Sequence, residues 1–485
     1  MIKKSIIYLV MLFCYNVTFA QSFNDSLHVQ VGVTATVASE DYQPLWLTSN
    51  KWGTVADRQS DLSPHIHLFN VHELRKKQSS GTDATAKPTG FYVKYGLDAY
   101  LNNRFKDAFF EQLYLKVGYK SLEFRAGRYE ELIGVTDPIL SSGSMGISGN
   151  SLPIPKIGLA VTKFTDVRFT GGFLKFKGTF AHGFLGNNNY LKSAYLHEKS
   201  LYLSFGKSKL RFIVGGQHYA EWGGKRPGIN LNRSFKDFLD IVFVKWQNDG
   251  STAPGTALSF AGDHRITIDG ALQWMGEKAT FNLYQQSPFE SGDGFSFKSH
   301  DALRGLAVTF NKSSGLTKIV AEVLSTKQMF DFVPIGYRET YYNNWAYKTG
   351  WEYNDRIIGT PLFINRQRGS KYFPEIKPYN WDAPADSIPV NSNIINNRVV
   401  AFHLGLTGRF IGNTSTKLLL TYTKNYGTYY DGPFKNNPKT QLYTMLEMLF
   451  PLVKNKLELK TDLGGDFGDL TNNVGLLVGA VWNVK

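Results

Sequence analysis

The chain is organised by alternation. In Phe91-Tyr92-Val93-Lys94-Tyr95-Gly96-Leu97-Asp98-Ala99-Tyr100-Leu101 every odd position is apolar or aromatic, while Lys94, Gly96 and Asp98 fall on the other side. Successive side chains of a strand point to opposite faces, so one face suits lipid and the other a wet lumen. The pattern recurs at Leu113, Leu115, Val117 and Tyr119, at Phe402, Leu404, Leu406 and Phe410, and at Leu457, Leu459 and Leu463. Apolar residues three and four apart, the mark of an amphipathic helix, do not recur in these segments. Such segments lie near 27–39, 63–74, 91–102, 108–119, 121–128, 157–164, 168–182, 200–206, 210–220, 238–247, 264–275, 278–286, 303–311, 316–326, 345–353, 398–411, 415–425, 440–450, 456–466 and 473–484. Short turns such as Gly118-Tyr119-Lys120-Ser121 and Lys312-Ser313-Ser314-Gly315 join many of them, as in antiparallel hairpins. About twenty candidates and the even count of single-chain barrels predict an all-β fold, a transmembrane antiparallel β-barrel of about 18 strands with short helical or irregular plug segments. Blade repeats are absent and the strands are too many for one sandwich, which argues against a soluble propeller or sandwich.

Three regions break the rhythm. Residues near 40–62 and 129–156 are irregular, the latter carrying Ser141-Ser142-Gly143-Ser144-Met145-Gly146 and Pro153-Ile154-Pro155. Irregular backbone cannot face lipid, so both are expected to plug the lumen or lie outside the bilayer. Residues 327–397, rich in Pro, Asn, Tyr and Trp, form a connection far longer than usual, expected as an extracellular loop region. Its aromatic content argues against disorder.

Composition sharpens the address. Lys3 and Lys4, the apolar run Ile6 to Phe13, and small residues at Thr18 and Ala20 read as a signal peptide over 1–20, leaving 21–485 as the barrel. The apolar run is shorter than the ~20 residues of a membrane span. A lipoprotein signal at Cys14 is disfavoured by the bulky Phe13, and a chain starting at Gln21 has no cysteine for disulfide or thiol chemistry. Mean hydropathy is −0.25, and no later segment is apolar enough for a membrane helix. A closed barrel is then the form in which this chain can meet lipid. The formal charge is +14, or +12 without the two leader lysines, and the basic residues are scattered rather than bunched into a nucleic-acid patch. Lipopolysaccharide or an acidic polysaccharide suits that balance better than nucleic acid.

Several motifs follow one another in a specific order: Pro44-Leu45-Trp46-Leu47-Thr48-Ser49-Asn50-Lys51-Trp52-Gly53, Gly127-Arg128 with Glu130-Glu131, Pro138-Ile139-Leu140-Ser141-Ser142-Gly143, Ser148-Gly149-Asn150-Ser151-Leu152-Pro153-Ile154-Pro155, and Gly216-Gln217-His218-Tyr219-Ala220-Glu221-Trp222-Gly223-Gly224. Together they resemble the Wzi-like capsule-assembly proteins of the outer membrane, in the form seen in Bacteroidetes, over residues 40 to about 225. Beyond that point the resemblance rests on barrel patterning. It implies an 18-stranded barrel plugged by helical segments, binding capsular polysaccharide as a surface lectin rather than acting as an enzyme or open pore. Within the motifs Trp46, Asn50, Trp52, Gly53, Gly127, Arg128, Glu130, Asn150, His218, Trp222 and Gly223 are expected to be structural.

Sugars are held by aromatic platforms and by polar side chains on their hydroxyls, and acidic sugars add a demand for Arg or Lys. The long loop offers Tyr337, Arg338, Tyr341, Tyr342, Asn343, Asn344, Trp345, Trp351, Arg366, Arg368, Tyr379 and Trp381 for such contacts. The same aromatics could instead pack the loop on itself or form interfacial girdles. Glu130, Glu131 and Asp137 beside Arg125 and Arg128 could be read as a glycosidase pair, but adjacent strand positions point apart, and ion pairing that pins plug to wall fits better. His65 and His67 share a strand face without an evident third ligand, which favours polar lumen residues over a metal. No nucleophile elbow, phosphate loop or zinc signature is present, so no cofactor and no metal is expected. Three readings stay open: a polysaccharide-binding barrel, taken as a monomer; a porin or substrate channel; and a barrel enzyme acting on glycan or lipid.

Overall fold

The computed structural model describes residues 27–76, 87–247, 259–290, 300–312, 315–329, 331, 338–429, 432–434 and 437–484. The signal peptide expected at 1–20 and Tyr337 lie outside the described residues. Eighteen strands form the wall: β1 Leu27–Ala38, β2 Ser60–Lys76, β3 Lys87–Asn102, β4 Asp107–Tyr119, β5 Leu122–Arg128, β6 Lys156–Asp166, β7 Leu174–Gly186, β8 Ala194–Phe205, β9 Leu210–Trp222, β10 Asp263–Met275, β11 Ala279–Phe289, β12 Ala302–Phe310, β13 Leu316–Ser325, β14 Val399–Ile411, β15 Thr414–Asn425, β16 Lys439–Val453, β17 Leu457–Gly468 and β18 Asn473–Asn483. Each strand pairs antiparallel with its successor, and β18 closes on β1 in the register Gln30↔Asn483 to Ala38↔Gly475. Closure leaves no strand edge to be satisfied by lipid.

Alternation sets the two faces of the wall. On β4 and β5 Leu113, Leu115, Val117, Leu122 and Phe124 point outward and are exposed, whereas Glu123 and Arg125 point inward and are buried. The same division holds at Phe402 and Leu404 against His403, and at Leu476 and Val478 against Leu477. An apolar outer surface over a polar, filled interior is the pattern of an outer-membrane barrel. No helix among the described residues is long and apolar enough to cross a membrane; the strands do so.

The connections divide by end. Three of those at the end holding the start of β1 and the finish of β18 are the short links 120–121, 276–278 and 454–456. The opposite end carries long insertions at 39–59, 129–155, 223–262 and 326–398. By the general asymmetry of these barrels the loop end faces outward from the cell.

Two predicted strands are corrected. Of residues 238–247, the first five fall on a helix, Phe235–Val242, because Ser234 and Asp237 form a capping box and Phe235, Phe238, Leu239 and Val242 repeat at helical spacing, and only Trp246–Gln247 pairs, with Ser259–Phe260. Residues 345–353 belong to the long insertion; only Glu352–Tyr353 pairs, with Arg356–Ile357, in a two-residue hairpin. That insertion does not stand off the barrel as an extracellular loop. It folds down into the loop-end half of the lumen, where Trp351, Ile358, Leu362, Phe363 and Ile394 join one core with Trp46, Leu140 and Met145 of the other two irregular segments. Its apolar and aromatic content is satisfied by that burial.

Candidate functional site

The plug is built from the sequence motifs. Segment 44–53 begins with a short helix, α1 (Leu45–Thr48), whose first backbone N–H donates to the buried Asp466 carboxylate at 2.9 Å. Trp46 is enclosed and its indole N–H donates to Thr421 at 3.1 Å. Asn50, Trp52 and Gly53 follow in left-handed backbone, with φ of 53°, 51° and 69°. A bulky residue such as Trp52 adopts that conformation only when its surroundings hold it. Here its N–H donates to the Gly149 carbonyl at 2.6 Å, and a Cβ added at Gly149 would sit 3.1 Å from the indole. The Pro44–Gly53 and Ser148–Pro155 motifs are thus two halves of one plug. Gly127, at φ 116°, lets β5 approach β4 so closely that a Cβ there would meet the Leu113 carbonyl at 2.1 Å.

The wall grips the plug through buried polar side chains. Glu322 on β13 accepts from the Ser142 N–H at 2.7 Å and from the Ser141 and Ser142 hydroxyls at 2.7 and 2.6 Å. Gln286 accepts from the Met145 N–H at 2.6 Å, and Lys318 reaches Asp137 at 2.8 Å. Glu131 pairs with Arg125 and, at 3.3 Å, with Lys156, which also binds Glu198 at 2.9 Å. Of the carboxylates weighed as a catalytic pair, Glu131 and Asp137 are therefore held by cations. His65 stacks on Tyr100 and His67 pairs with Asp98; no metal-holding cluster occurs among the described residues.

The long insertion caps the plug. The Tyr342 hydroxyl donates to the Met145 carbonyl at 2.6 Å, the Trp351 indole to the Gly146 carbonyl at 2.8 Å, and the Asn150 amide to the Ile357 carbonyl at 2.8 Å. Arg265 of β10 stacks over Trp351 at 5.0 Å. Tyr341, Tyr342, Asn343 and Trp351 are buried, and Trp381 is 8% exposed. For Tyr341, Tyr342 and Trp351 this corrects the expectation of sugar contact: an enclosed ring cannot stack on a sugar, and these rings pack the insertion on the plug. Asn344 turns its side chain back onto the N–H groups of Ala346 and Tyr347 at 2.8 and 2.9 Å, and Trp345 beside it is half-buried. Arg338 lies over the Tyr429 ring at 4.5 Å, Arg366 over Tyr379 at 4.3 Å, and Tyr379 packs on Trp381 at 5.6 Å. Arg128 donates to the Tyr353 hydroxyl at 3.1 Å.

Arg368 has the clearest structural task. It lies on a second short helix, α2 (Arg366–Tyr372), capped by Asn365, and binds both Asp57 oxygens at 3.0 and 2.9 Å and the Gln43 carbonyl at 3.0 Å. Burial works against the Asp57 charge, but the Arg368 and Arg356 guanidiniums and the Gln43 N–H hold its carboxyl below the usual range.

Between plug, insertion and barrel rim opens a cleft of about 610 Å³ at the loop end. Arg58, Arg356, Arg368 and Lys371 line it together with Asp57, Asp107 and Asp355, giving one more positive than negative charge. Asn103, Asn354 and Gln367 add amides, and the half-buried Phe109 adds a ring face. Of the sequence candidates only Arg368, Gly53 and Asn150 line this cleft. Arg58, Asn103, Phe109, Arg356 and Lys371 were not singled out, because three distant segments meet here and the 102–107 stretch reads as an ordinary hairpin turn.

Comparison with known proteins bears on the same regions. The family model described as Capsule assembly protein Wzi matches residues 30–367. No curated protein matches the chain. Among solved structures, the Escherichia coli outer membrane protein Wzi, described as involved in group 1 capsule assembly and as a carbohydrate-binding β-barrel, aligns with TM-score 0.56 at 12% identity, over 96% of this chain and 86% of that one. OpdL of Pseudomonas aeruginosa aligns with TM-score 0.45 at 9% identity, over 95% and 99% of the two chains. OccAB4 of Acinetobacter baumannii gives 0.45 at 9%, over 94% and 98%.

Proposed function

The chain belongs to the Wzi capsule-assembly family, and from that premise we propose that it binds surface polysaccharide at its loop end and helps retain it there. The cleft of about 610 Å³ carries this reading. It combines the Phe109 ring, amides and a small positive excess, a set suited to an acidic glycan, and it sits on a plug that fixes its floor. Arg338, Trp345, Arg366 and Tyr379, the insertion residues that are half-buried rather than enclosed, extend the surface available to a polymer. The reading is one of binding, not turnover: the plug carboxylates Glu131 and Asp137 are engaged by cations, as a structural role requires. We also read the barrel as a monomer whose apolar wall meets lipid and lipopolysaccharide, since closure leaves no strand edge for a second copy.

Replacing Arg58 and Lys371 by alanine tests the site without touching the plug's main anchors. Loss of two charge-assisted contacts is expected to weaken binding of an acidic polysaccharide by at least ~10-fold on a glycan array or in titration calorimetry. Unchanged affinity in a folded double variant would place the glycan elsewhere.

A further inference from the structure

The helix that replaces the predicted 238–247 strand lies in an unusual place. Phe235–Val242, here α3, follows the rim turn after β9 and folds back over the outside of the wall. Its Phe238 packs on His182, His197 and Trp222 with ring centroids 5.4, 5.9 and 5.9 Å apart, and its Ile241 joins Ala220 and Trp222 in a small core. These wall residues are on the lipid-facing side by parity: His182 shares a face with the exposed Phe180 and Phe184, His197 with Leu201, His218 with Phe212, and His264 with Leu272 and Trp274. Lys199, on that face too, bonds its ammonium to the Val242 carbonyl at the helix C-terminus.

A patch of four histidines and a lysine thus interrupts the apolar outer surface formed around it by Phe180, Phe184, Leu201 and Phe212. Its height is informative. From Leu210 to His218 along β9, eight residues at ~3.4 Å each and a tilt of ~40° rise about 21 Å, close to the ~25 Å of an apolar barrel band. The patch therefore stands at the outer border of the bilayer, and α3 lies along that border.

Only part of the apolar face of α3 is used by the wall. At ~100° per residue Phe235, Leu239, Val242 and Phe243 share an arc of about 100° turned away from Phe238 and Ile241. Phe235 is 75% exposed and Phe243 67%. The polar arc of Lys236, Asp240 and Asp237 borders the stripe on its Phe243 side and is internally balanced: Lys236 reaches Asp240 at 2.7 Å and Lys245 reaches it at 3.3 Å, while Asp237 closes the capping box. The wall under Phe238 runs on into exposed, lipid-facing rings, since His197 packs on Phe180 at 5.0 Å and His182 on Phe184 at 5.6 Å.

We propose that α3 is an interfacial anchor, covered by acyl chains of the outer leaflet at the headgroup boundary, which roofs the histidine patch and fixes the depth of the barrel. The stripe is continuous with a surface that already faces lipid, and the charges beside it are paired with one another, as in helices that lie in a membrane interface. The sole cysteine, Cys14, makes the test simple. In a Cys14→Ser background, Phe235→Cys and, separately, Lys236→Cys, whose side chains leave the helix ~100° apart, are labelled with an environment-sensitive nitrobenzoxadiazole probe and reconstituted into phosphatidylethanolamine and phosphatidylglycerol vesicles. The probe at 235 is expected to be quenched at least ~5-fold more by lipid bearing a spin label at acyl carbon 5 than the probe at 236, and less by aqueous iodide. Equal iodide quenching at both positions would overturn the proposal. So would protection of 235 from both quenchers in a dimeric preparation, which would assign the stripe to a second copy. Heat-modifiable migration of each labelled protein confirms that the barrel is folded.

Discussion

Glu352 shows how the insertion is tuned residue by residue. Its carboxyl accepts from the Asn365 and Asn393 amides at 2.7 and 2.8 Å, yet burial pushes it up to about 7. Amide bonds favour the charged form but do not match the loss of water. A carboxyl raised in the folded state binds its proton more tightly there than in the unfolded chain. Its stabilising effect is therefore full below the unfolded value near 4.5 and declines as pH rises through about 7. The span amounts to roughly 3 kcal/mol at most. Protease cleavage within 338–397 is accordingly expected to accelerate between pH 5 and 8, and Glu352→Gln to flatten that dependence. A variant with the same pH profile as the parent would show that another group governs it. Trp351→Ala, which empties an enclosed site between Arg265 and Gly146, is expected to cost about 3–5 kcal/mol of docking and to expose the insertion to protease at every pH. The sequence displayed these aromatics but not their orientation: the spacing of Trp345, Tyr347, Trp351 and Tyr353 is the same for a girdle, a sugar platform or a core, and only the plug opposite decides among them.

Elements were most legible where each face meets a single solvent. Eighteen of the twenty segments near-coincide with wall strands because lipid on one side and a polar lumen on the other impose a clean period of two. The errors cluster where that condition fails. Strand β8 starts at Ala194 rather than 200 because Tyr195, His197 and Lys199 lie under α3 and the alternation turns polar there. Residues 168–173, predicted as strand, form a tight turn with a single 3₁₀ stretch, Arg168–Thr170, before β7. The helix α2 carries one ionic pin, Arg368 to Asp57, beside its Asn365 cap and the Arg368 bond to the Gln43 carbonyl. Asp57 stays charged because Arg368 and Arg356 outweigh its burial, so the pairing is present above about 3.8 and is lost as pH falls through the depressed folded value. Amide exchange in Arg366–Tyr372 is expected to rise only under acid conditions, and Asp57→Asn to raise it at neutral pH, by hydrogen-exchange mass spectrometry. Fast exchange at neutral pH in the parent chain would disprove the pin.

At the scale of the molecule, the barrel is wide and the interior is full. An empty ring of 16–18 strands leaves an aqueous channel. Here the segments 39–59 and 129–155 and the insertion meet in a shared core inside the ring and hydrogen-bond to inward side chains of β11, β13, β14 and β17. The motifs that revealed the family make up most of this plug, which is why fold and family were readable from the sequence while the cleft was not. The cleft is a property of how the insertion settles on the plug, and no local pattern encodes that contact. A filled lumen separates a binding barrel from a channel. Ser325 and Val400 are directly paired across β13 and β14, so a short hairpin turn can replace the insertion without disturbing the wall. The intact protein is expected to pass little current in a planar bilayer, and the hairpin variant at least ~10-fold more, as water replaces side chains in the upper lumen. If the two conduct alike and strongly, the interior is not sealed in the membrane, and the chain transports rather than holds its ligand.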